Sequence, residues 1–373
     1  MNHFLALNFG SASLKYALFA EDGTALAHSI VDRPADVRSA LDDVCRGLPK
    51  EVARLTGIGH RVVHGGRRHA PVLFDAAVES EIESLLDLAP QHNRLSLDAV
   101  RSARALWPQT PQVAVFDTAF HSGMPEHASC YAVPAAWRDA GLRRYGFHGL
   151  SHEHVMQAVA GRLGRPAADL KIMSCHLGNG ASVCAIEHGR SVDTSMGLTP
   201  LEGLVMGTRC GDIDPGAPGF IHRELGLTLP EIERMLYQES GLAALGGHGG
   251  DMRLIEESAV AGDAGARLAL AAYAYRIRKY IGAYAAAMGG CDAVAFTGGI
   301  GENSAGVRAS VMRGMEFLGL VLDPARNGKP LSDAAGVAEL QVEGSPAAIL
   351  SVQAREEWMV FRGTQLLLAA TAN

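Results

Sequence analysis

The sequence predicts an α/β protein built from two similar halves. Three observations predict it. A strand–turn–strand meander at the N-terminus returns near the middle of the chain. Helical periodicity fills the stretches outside the two copies. Short apolar strands run into glycine clusters rather than into polar loops. Strands mixed with helices along the whole chain are the mark of α/β architecture.

The first copy reads Phe4-Leu5-Ala6-Leu7, then Asn8-Phe9-Gly10-Ser11-Ala12-Ser13, then Leu14 to Ala20. The turn Glu21-Asp22-Gly23 leads into a third apolar run, Thr24 to Val31. Helical spacing appears over Glu79 to Ala89 and Leu97 to Leu106. Ala114-Val115-Phe116 reads as a buried strand ending at Asp117. The second copy starts at Lys171-Ile172-Met173-Ser174-Cys175-His176 and turns at Leu177-Gly178-Asn179-Gly180. It continues through Val183 to Ile186, the turn at Gly189, and Ser191-Val192-Asp193. Gly10 matches Gly178, and Gly23 matches Gly189, as a duplicated unit requires. Leu229 to Ser240 is a helix with Thr228 as its cap and Pro230 in its first turn. Asp263 to Met288 is the longest, with Leu268, Ala272, Tyr275, Ile281 and Ala285 spaced as one face and Gly289-Gly290 closing it. A short strand, Ala293 to Phe296, enters a third glycine loop, Thr297-Gly298-Gly299-Ile300-Gly301-Glu302-Asn303.

Composition narrows the function class. The chain has 373 residues, 48% hydrophobic and 20% charged, which suits a globular protein of about two domains. Glycine is in excess: 43 residues, about 12% against a usual ~7%. The net charge of -7 and the lack of a Lys/Arg run argue against nucleic acid as a partner. No apolar run approaches the ~18 residues a membrane span needs. Met1-Asn2-His3-Phe4 lacks the basic and apolar regions of a signal peptide. Cys45, Cys130, Cys175, Cys184, Cys210 and Cys291 form no C-x-x-C pair, so reduced thiols in the cytoplasm are expected.

The three glycine loops each follow a strand, where backbone N–H groups bind anions such as phosphates. None is a P-loop and none opens a dinucleotide-binding unit. Arg61, in His60-Arg61-Val62-Val63-His64-Gly65-Gly66, and Arg209, in Met206 to Pro215, sit in apolar, glycine-flanked segments. Arginine there suits a carboxylate or phosphate; the other reading is a salt bridge at a loop edge. Asp117 suits a metal ion or the orientation of a nucleophile; the other reading is a helix cap. Arg143-Arg144-Tyr145-Gly146-Phe147-His148 continues to His152 and His154. His148 beside two arginines reads as a donor to an oxyanion, and His152 and His154 as a solvent-exposed helix start. Zinc is disfavoured, because the spacing lacks the internal Glu of H-E-x-x-H.

Together these segments resemble the acetate kinase family of the acetate and sugar kinase, actin-like ATPase superfamily. The matching stretches run in family order over nearly the whole chain. They include Asn8 to Lys15, His60 to Gly66, Phe116 to His121, Arg143 to His148, His176 to Gly180, Asp193 to Gly203, Met206 to Pro215 and Phe296 to Ser304. The resemblance implies two duplicated actin-like, ribonuclease H-like domains with a central cleft. The first would be residues 1–118 with the returning helix of 356–373. The second, 119–355, would bind nucleotide and dimerise. It implies a cytoplasmic homodimer that transfers the ATP γ-phosphoryl group to acetate, giving acetyl phosphate and ADP, with Mg²⁺ or Mn²⁺. Arg61, Asp117, His148 and Arg209 would be catalytic. Arg61, Val63, Gln91, Phe147 and Pro200 would bind the acid. Lys15, His176, Gly178, Asn179, Gly180, Asp251, Met252, Arg253, Gly299, Ile300, Gly301 and Asn303 would bind nucleotide. Asn8 and Glu356 would lie at the metal.

The chain departs from the family pattern in places. It is short by some two dozen residues before His60. Gln91 stands where the family has Leu, Arg94 where it has Pro, Leu150 for Thr and Cys210 for Ser. Ala354-Arg355-Glu356-Glu357 replaces Thr-Asn-Glu-Glu. Gln91 makes propionate or another short acid the alternative substrate. An actin-like nucleotide-binding module without catalysis would not need Arg61, Asp117, His148 and Arg209 together.

Overall fold

Each half of the chain builds its own six-stranded sheet, and the two sheets have the same topology. A computed structural model describes residues 2–10, 13–32, 34–49, 52, 54–331 and 336–371, and the Gln91 side chain lies outside that description. Ser11 and Ala12 of the first glycine turn fall outside it too. The chain divides into two units. One comprises Met1–Ser122, Phe147–His154 and Arg355–Asn373; the other comprises Gly123–Gly146 and Val155–Ala354.

In the first unit β1 (His3–Phe9), β2 (Ser13–Ala20) and β3 (Ala25–Asp32) form an antiparallel meander. β4 (Gly57–Val62) lies parallel to β1, and β6 (Gln112–Phe116) parallel to β4. β5 (Val72–Leu73) closes the edge against β6, giving the order β3-β2-β1-β4-β6-β5. The second unit repeats this with β7 (Lys171–Leu177), β8 (Ala181–Glu187) and β9 (Arg190–Thr194) as the meander. β10 (Ala293–Thr297) and β12 (Ala348–Val352) add in parallel, and β11 (Val337–Glu339) closes the edge antiparallel. Both meanders carry a register shift between their second and third strands, at Leu18/Phe19 and at Ala185/Ile186. The α/β class and the duplication expected from the two hairpins are thus both present.

Strand alternation decides what each face of the first sheet buries. Leu5, Leu7, Leu14 and Leu18 point to one face, with Leu41, Val44 and Ala103 of the helices Val37–Gly47 and Pro90–Leu106. Phe4, Ala6, Ala17 and Phe19 point to the other, with Val360 and Phe361 of the helix Glu356–Thr371. A side chain of this size contributes roughly 1.5–3 kcal/mol when fully buried. Gly57 and Gly59 let the Glu356–Thr371 helix lie directly on β4. A Cβ on Gly59 would stand 2.2 Å from Thr364 Oγ1 and 2.7 Å from Val360 Cγ1. Gly59→Val is therefore expected to destabilise the protein by about 1–3 kcal/mol, read from the midpoint of urea unfolding. An unchanged midpoint would show that the helix shifts at no cost.

Three local readings differ from the structure. The stretch read as Glu79 to Ala89 is the helix Ala76–Ser84, capped by Asp75, and Pro90 then starts the next helix at its first turn. The helix Ala264–Met288 buries Ile281 and Ala285 but leaves Leu268 57% and Tyr275 60% exposed. At about 100° per residue, Leu268 and Ile281 fall on opposite sides, and Ala266, Ala269, Tyr273 and Ile277 form the inner face instead. The third glycine loop is a short helix, Gly298–Asn303, begun at Thr297.

Candidate active site

In the first unit, β1, β4 and β6 lie side by side, so their C-terminal ends bring Asn8, Arg61 and Asp117 together. Arg61 Nε lies 3.0 Å from each carboxylate oxygen of Asp117, and Arg61 Nη2 also donates to Asp117. Arg61 Nη1 donates to Asn8 Oδ1 at 2.9 Å. Glu356 stands 3.6 Å from Arg61 Nη2. Asn8 Nδ2 in turn donates to Glu356 Oε2 at 3.3 Å and Glu357 Oε1 at 2.7 Å. Both glutamates lie in the first turn of the Glu356–Thr371 helix, where the helix dipole favours negative charge. Burial by itself would lower the Arg61 pKa, but Asp117 and Glu356 outweigh it and hold the guanidinium charged. Complete burial pushes the Asp117 carboxyl up, and Arg61 opposes that shift.

The helix Pro90–Leu106 fixes the Arg61–His64 segment from the side. Asn93 accepts from the His64 N–H and donates to the His64 carbonyl, both at 3.0 Å, and Ser96 Oγ donates to the Arg61 carbonyl at 3.1 Å. The His64 ring meets Phe147 edge-on at 5.5 Å. Val63 and Phe147, expected from sequence to line the pocket for the acid, are both buried, 6% and 1% exposed. The Gln91 side chain, expected there as well, lies outside the described residues.

His148 is one of the few non-glycine residues in the left-handed region, with φ 58°. Such conformations cost energy and persist where the surroundings enforce them. Here the His148 N–H donates to the Asp117 carboxylate, and the Gly149 N–H donates to the Asp117 carbonyl at 2.9 Å. His152, expected at a solvent-exposed helix start, is fully buried, because the helix Gly149–Leu163 packs this turn against His121. Among the described residues, no three His, Cys, Asp or Glu side chains are grouped to hold a metal by themselves. The Arg61 cluster nevertheless has three carboxylates against one guanidinium. Surplus negative charge with oxygen donors fits a hard divalent cation such as Mg²⁺, which is usually held by one or two carboxylates with the rest supplied by phosphates and water.

In the second unit the glycine turns pack on one another. The Gly207 N–H donates to the Asn179 carbonyl at 3.0 Å, and a Cβ on Gly250 would stand 2.3 Å from the Gly207 carbonyl oxygen. On the other side, a Cβ on Gly298 would stand 2.7 Å from the Leu177 carbonyl oxygen. These contacts gather Gly178, Asn179 and Gly180, the Asp251–Arg253 segment, and Gly299 and Ile300 around one strand end. The N-terminus of the Gly298–Asn303 helix can offer N–H groups to an anion as a loop would. Asp251 caps the helix Met252–Val260 and pairs with Arg253 at 2.8 Å, while Met252 is buried. Asn303 Nδ2 donates to the Gly299 carbonyl at 2.8 Å. His176 lies in β7, paired with Ser182, and Gly301 is buried. Lys15 belongs to the first unit, in register with Asn8 and exposed.

Arg209 Nη1 donates to the Pro200 carbonyl at 3.1 Å, and no carboxylate pairs with it among the described residues. Burial lowers its pKa. Arg144, one of the two arginines that precede His148 in sequence, is engaged elsewhere. Its Nη1 donates to the carbonyls of Thr194, Ser195 and Met196 at 3.0–3.2 Å, and its Nη2 to Glu202 at 2.6 Å. It braces the loop that carries Pro200. Asn93, Ser96 and Glu357 complete the arrangement without having been singled out from sequence. The asparagine two residues beyond Gln91 and the second glutamate after Arg355 were the available signals.

Comparison with known proteins shows the family. The Acetokinase family model matches residues 20–362. An acetate kinase of Leifsonia xyli subsp. xyli is 44% identical over 99% of this chain and 100% of its own. One from Coprothermobacter proteolyticus is 43% identical over 96% of this chain and 97% of its own. The Leifsonia alignment spans 400 positions, so this chain of 373 lacks residues its relative carries. The crystal structure of Porphyromonas gingivalis acetate kinase superposes with a TM-score of 0.91 at 36% identity, over 99% of this chain and 100% of that one. A propionate kinase from Francisella tularensis subsp. tularensis gives 0.91 at 35%, over 98% and 100%. On sequence, family model and fold alike, the chain belongs to the acetokinase family.

Proposed function

We propose that this protein is an acetate kinase, a phosphotransferase that moves the ATP γ-phosphoryl group reversibly onto a carboxylate. The observation that carries the reading is a buried Arg61 guanidinium held by Asp117 and Asn8 at the joined ends of three strands. The acid is already ionised near neutral pH, so its oxygen attacks the γ-phosphorus without a base. The new O–P bond forms as the bond to the β–γ bridging oxygen breaks, and ADP leaves with that electron pair.

The difficulty is bringing two anions together. Arg61 and Arg209 offset the repulsion, and His148 donates to the charge developing on the transferred group. Asp117 works through Arg61 and the His148 turn rather than as a base. Asn8 and Glu356 would hold Mg²⁺, which neutralises phosphate charge. Val63, Phe147 and Pro200, with Gln91, would take the alkyl group. The residues gathered around Asn179 would hold ATP. The second domain would also dimerise, and the enzyme would act in the cytoplasm. These assignments follow the family resemblance and the chemistry of each side chain.

Hydroxamate formation from ATP, Mg²⁺, hydroxylamine and each of formate, acetate, propionate and butyrate tests the reading. Acetate is expected to give the highest kcat/KM. Each methylene in an apolar pocket is worth about 1–3 kcal/mol, so propionate should fall roughly 10-fold or more below it. Propionate above acetate would assign the enzyme to the acid of its Francisella structural relative. No acid-dependent ADP release would overturn the kinase reading.

A further inference from the structure

We infer that His121 is a positioning residue for His148, acting through the peptide bond that joins Phe147 to His148. The inference rests on the role proposed above for His148. His121 ends a single 3-10 turn, Ala119–His121, four residues after Asp117, and is fully buried. Its Nε2 lies 3.0 Å from the Phe147 carbonyl oxygen. A carbonyl only accepts, so this nitrogen carries the proton. Burial lowers the ring's pKa to about 4, which keeps it neutral at working pH.

The other end of the same peptide unit is also held. Its N–H, belonging to His148, donates to the Asp117 carboxylate. The φ angle of His148 is the rotation about its N–Cα bond. It is therefore set by the plane of this peptide, and the plane is pinned at its oxygen by His121 and at its nitrogen by Asp117. Pinning at both ends is what a left-handed histidine at φ 58° requires. Gly149 completes the turn, since a Cβ there would stand 2.1 Å from the Asp117 carbonyl oxygen. Without the His121 donor, the Phe147 carbonyl is buried and unmatched, and the peptide is free to turn. The His148 N–H would then leave Asp117, and the imidazole would swing away from where the reaction needs it.

The test compares His121→Leu, His121→Gln, His148→Ala and the double variant His121→Leu/His148→Ala, with kcat and the KM for ATP and acid. Glutamine can present an N–H donor near the position of the lost Nε2; leucine cannot. The expected result is a kcat about 100-fold lower in His121→Leu, with KM for ATP within about threefold. His121→Gln should recover to within about fivefold of the parent, and the double variant should fall no further than His148→Ala. If His121→Leu does not fold, His121→Asn, whose amide falls short of the carbonyl, takes its place. Near-normal kcat in His121→Leu beside a defective His148→Ala would overturn the inference alone. So would equal losses in Leu and Gln, or losses that add in the double variant. Near-normal turnover in His148→Ala would instead overturn the role of His148, and the inference with it.

Discussion

Arg61→Ala is expected to lower kcat/KM by about 10³-fold or more and to cost the fold about 3–5 kcal/mol. Both effects follow from one side chain. Arg61 neutralises substrate charge in the proposed reaction, and it is also the partner of a fully buried Asp117. Removing it leaves that carboxylate buried without its cationic partner. The stability loss should carry a pH signature. With Arg61 gone, only the His148 N–H opposes the rise that burial causes in Asp117, so the folded state binds its proton more readily than the unfolded chain does. Lowering the pH from 7 to 5 should therefore narrow the gap between variant and parent in urea unfolding. Arg61→Ala/Asp117→Asn should regain most of the stability and none of the activity. A single variant with near-normal turnover would remove Arg61 from the reaction.

Arg209→Ala should behave differently. Its recorded partners are the Pro200 carbonyl at 3.1 Å and the Met206 sulfur at 3.8 Å. Burial works against its charge, and no carboxylate among the described residues offsets the cost. Turnover is expected to fall about 10²–10³-fold, while stability, read from the thermal midpoint, falls by no more than the roughly 1.5–3 kcal/mol of one hydrogen bond from a charged donor. Turnover within tenfold of the parent would show that Arg209 does not handle substrate. A large loss of stability would make it a structural residue. The contrast between the two arginines is itself informative: one is committed to a carboxylate partner, the other is held ready without one.

Much of the candidate site was legible in sequence because its residues are locally conspicuous. Asn8 before a glycine turn, Arg61 within an apolar run and Asp117 at the end of one each break a pattern over a few residues. The supporting side chains carry no such mark. His121 acts on a carbonyl 26 positions away, Asn93 on a backbone 29 away and Ser96 on one 35 away. Nothing near any of them in the chain announces that partner.

Local pattern also misled in specific places. Arg144 stands four residues from His148, yet its guanidinium braces the Thr194–Met196 carbonyls. His152 looked like an exposed helix start and is buried against His121. The run at 297–303 has the composition of a loop and the hydrogen bonds of a helix.

The sequence by itself determined the α/β class, the duplicated meander and the polar residues proposed to carry the chemistry. Strand alternation, helical spacing and turn chemistry are set by neighbours a few residues apart, so they can be read along the chain. Only the tertiary structure decided which charges meet. Arg61 found Asp117, Asn8 and Glu356 because parallel pairing of β1, β4 and β6 and the returning Glu356–Thr371 helix place those four residues together. Arg209 found no acid among the described residues, and His148 was forced into a left-handed turn. Charge pairing and backbone strain depend on contacts between segments far apart in sequence, and those exist only once the sheets have formed.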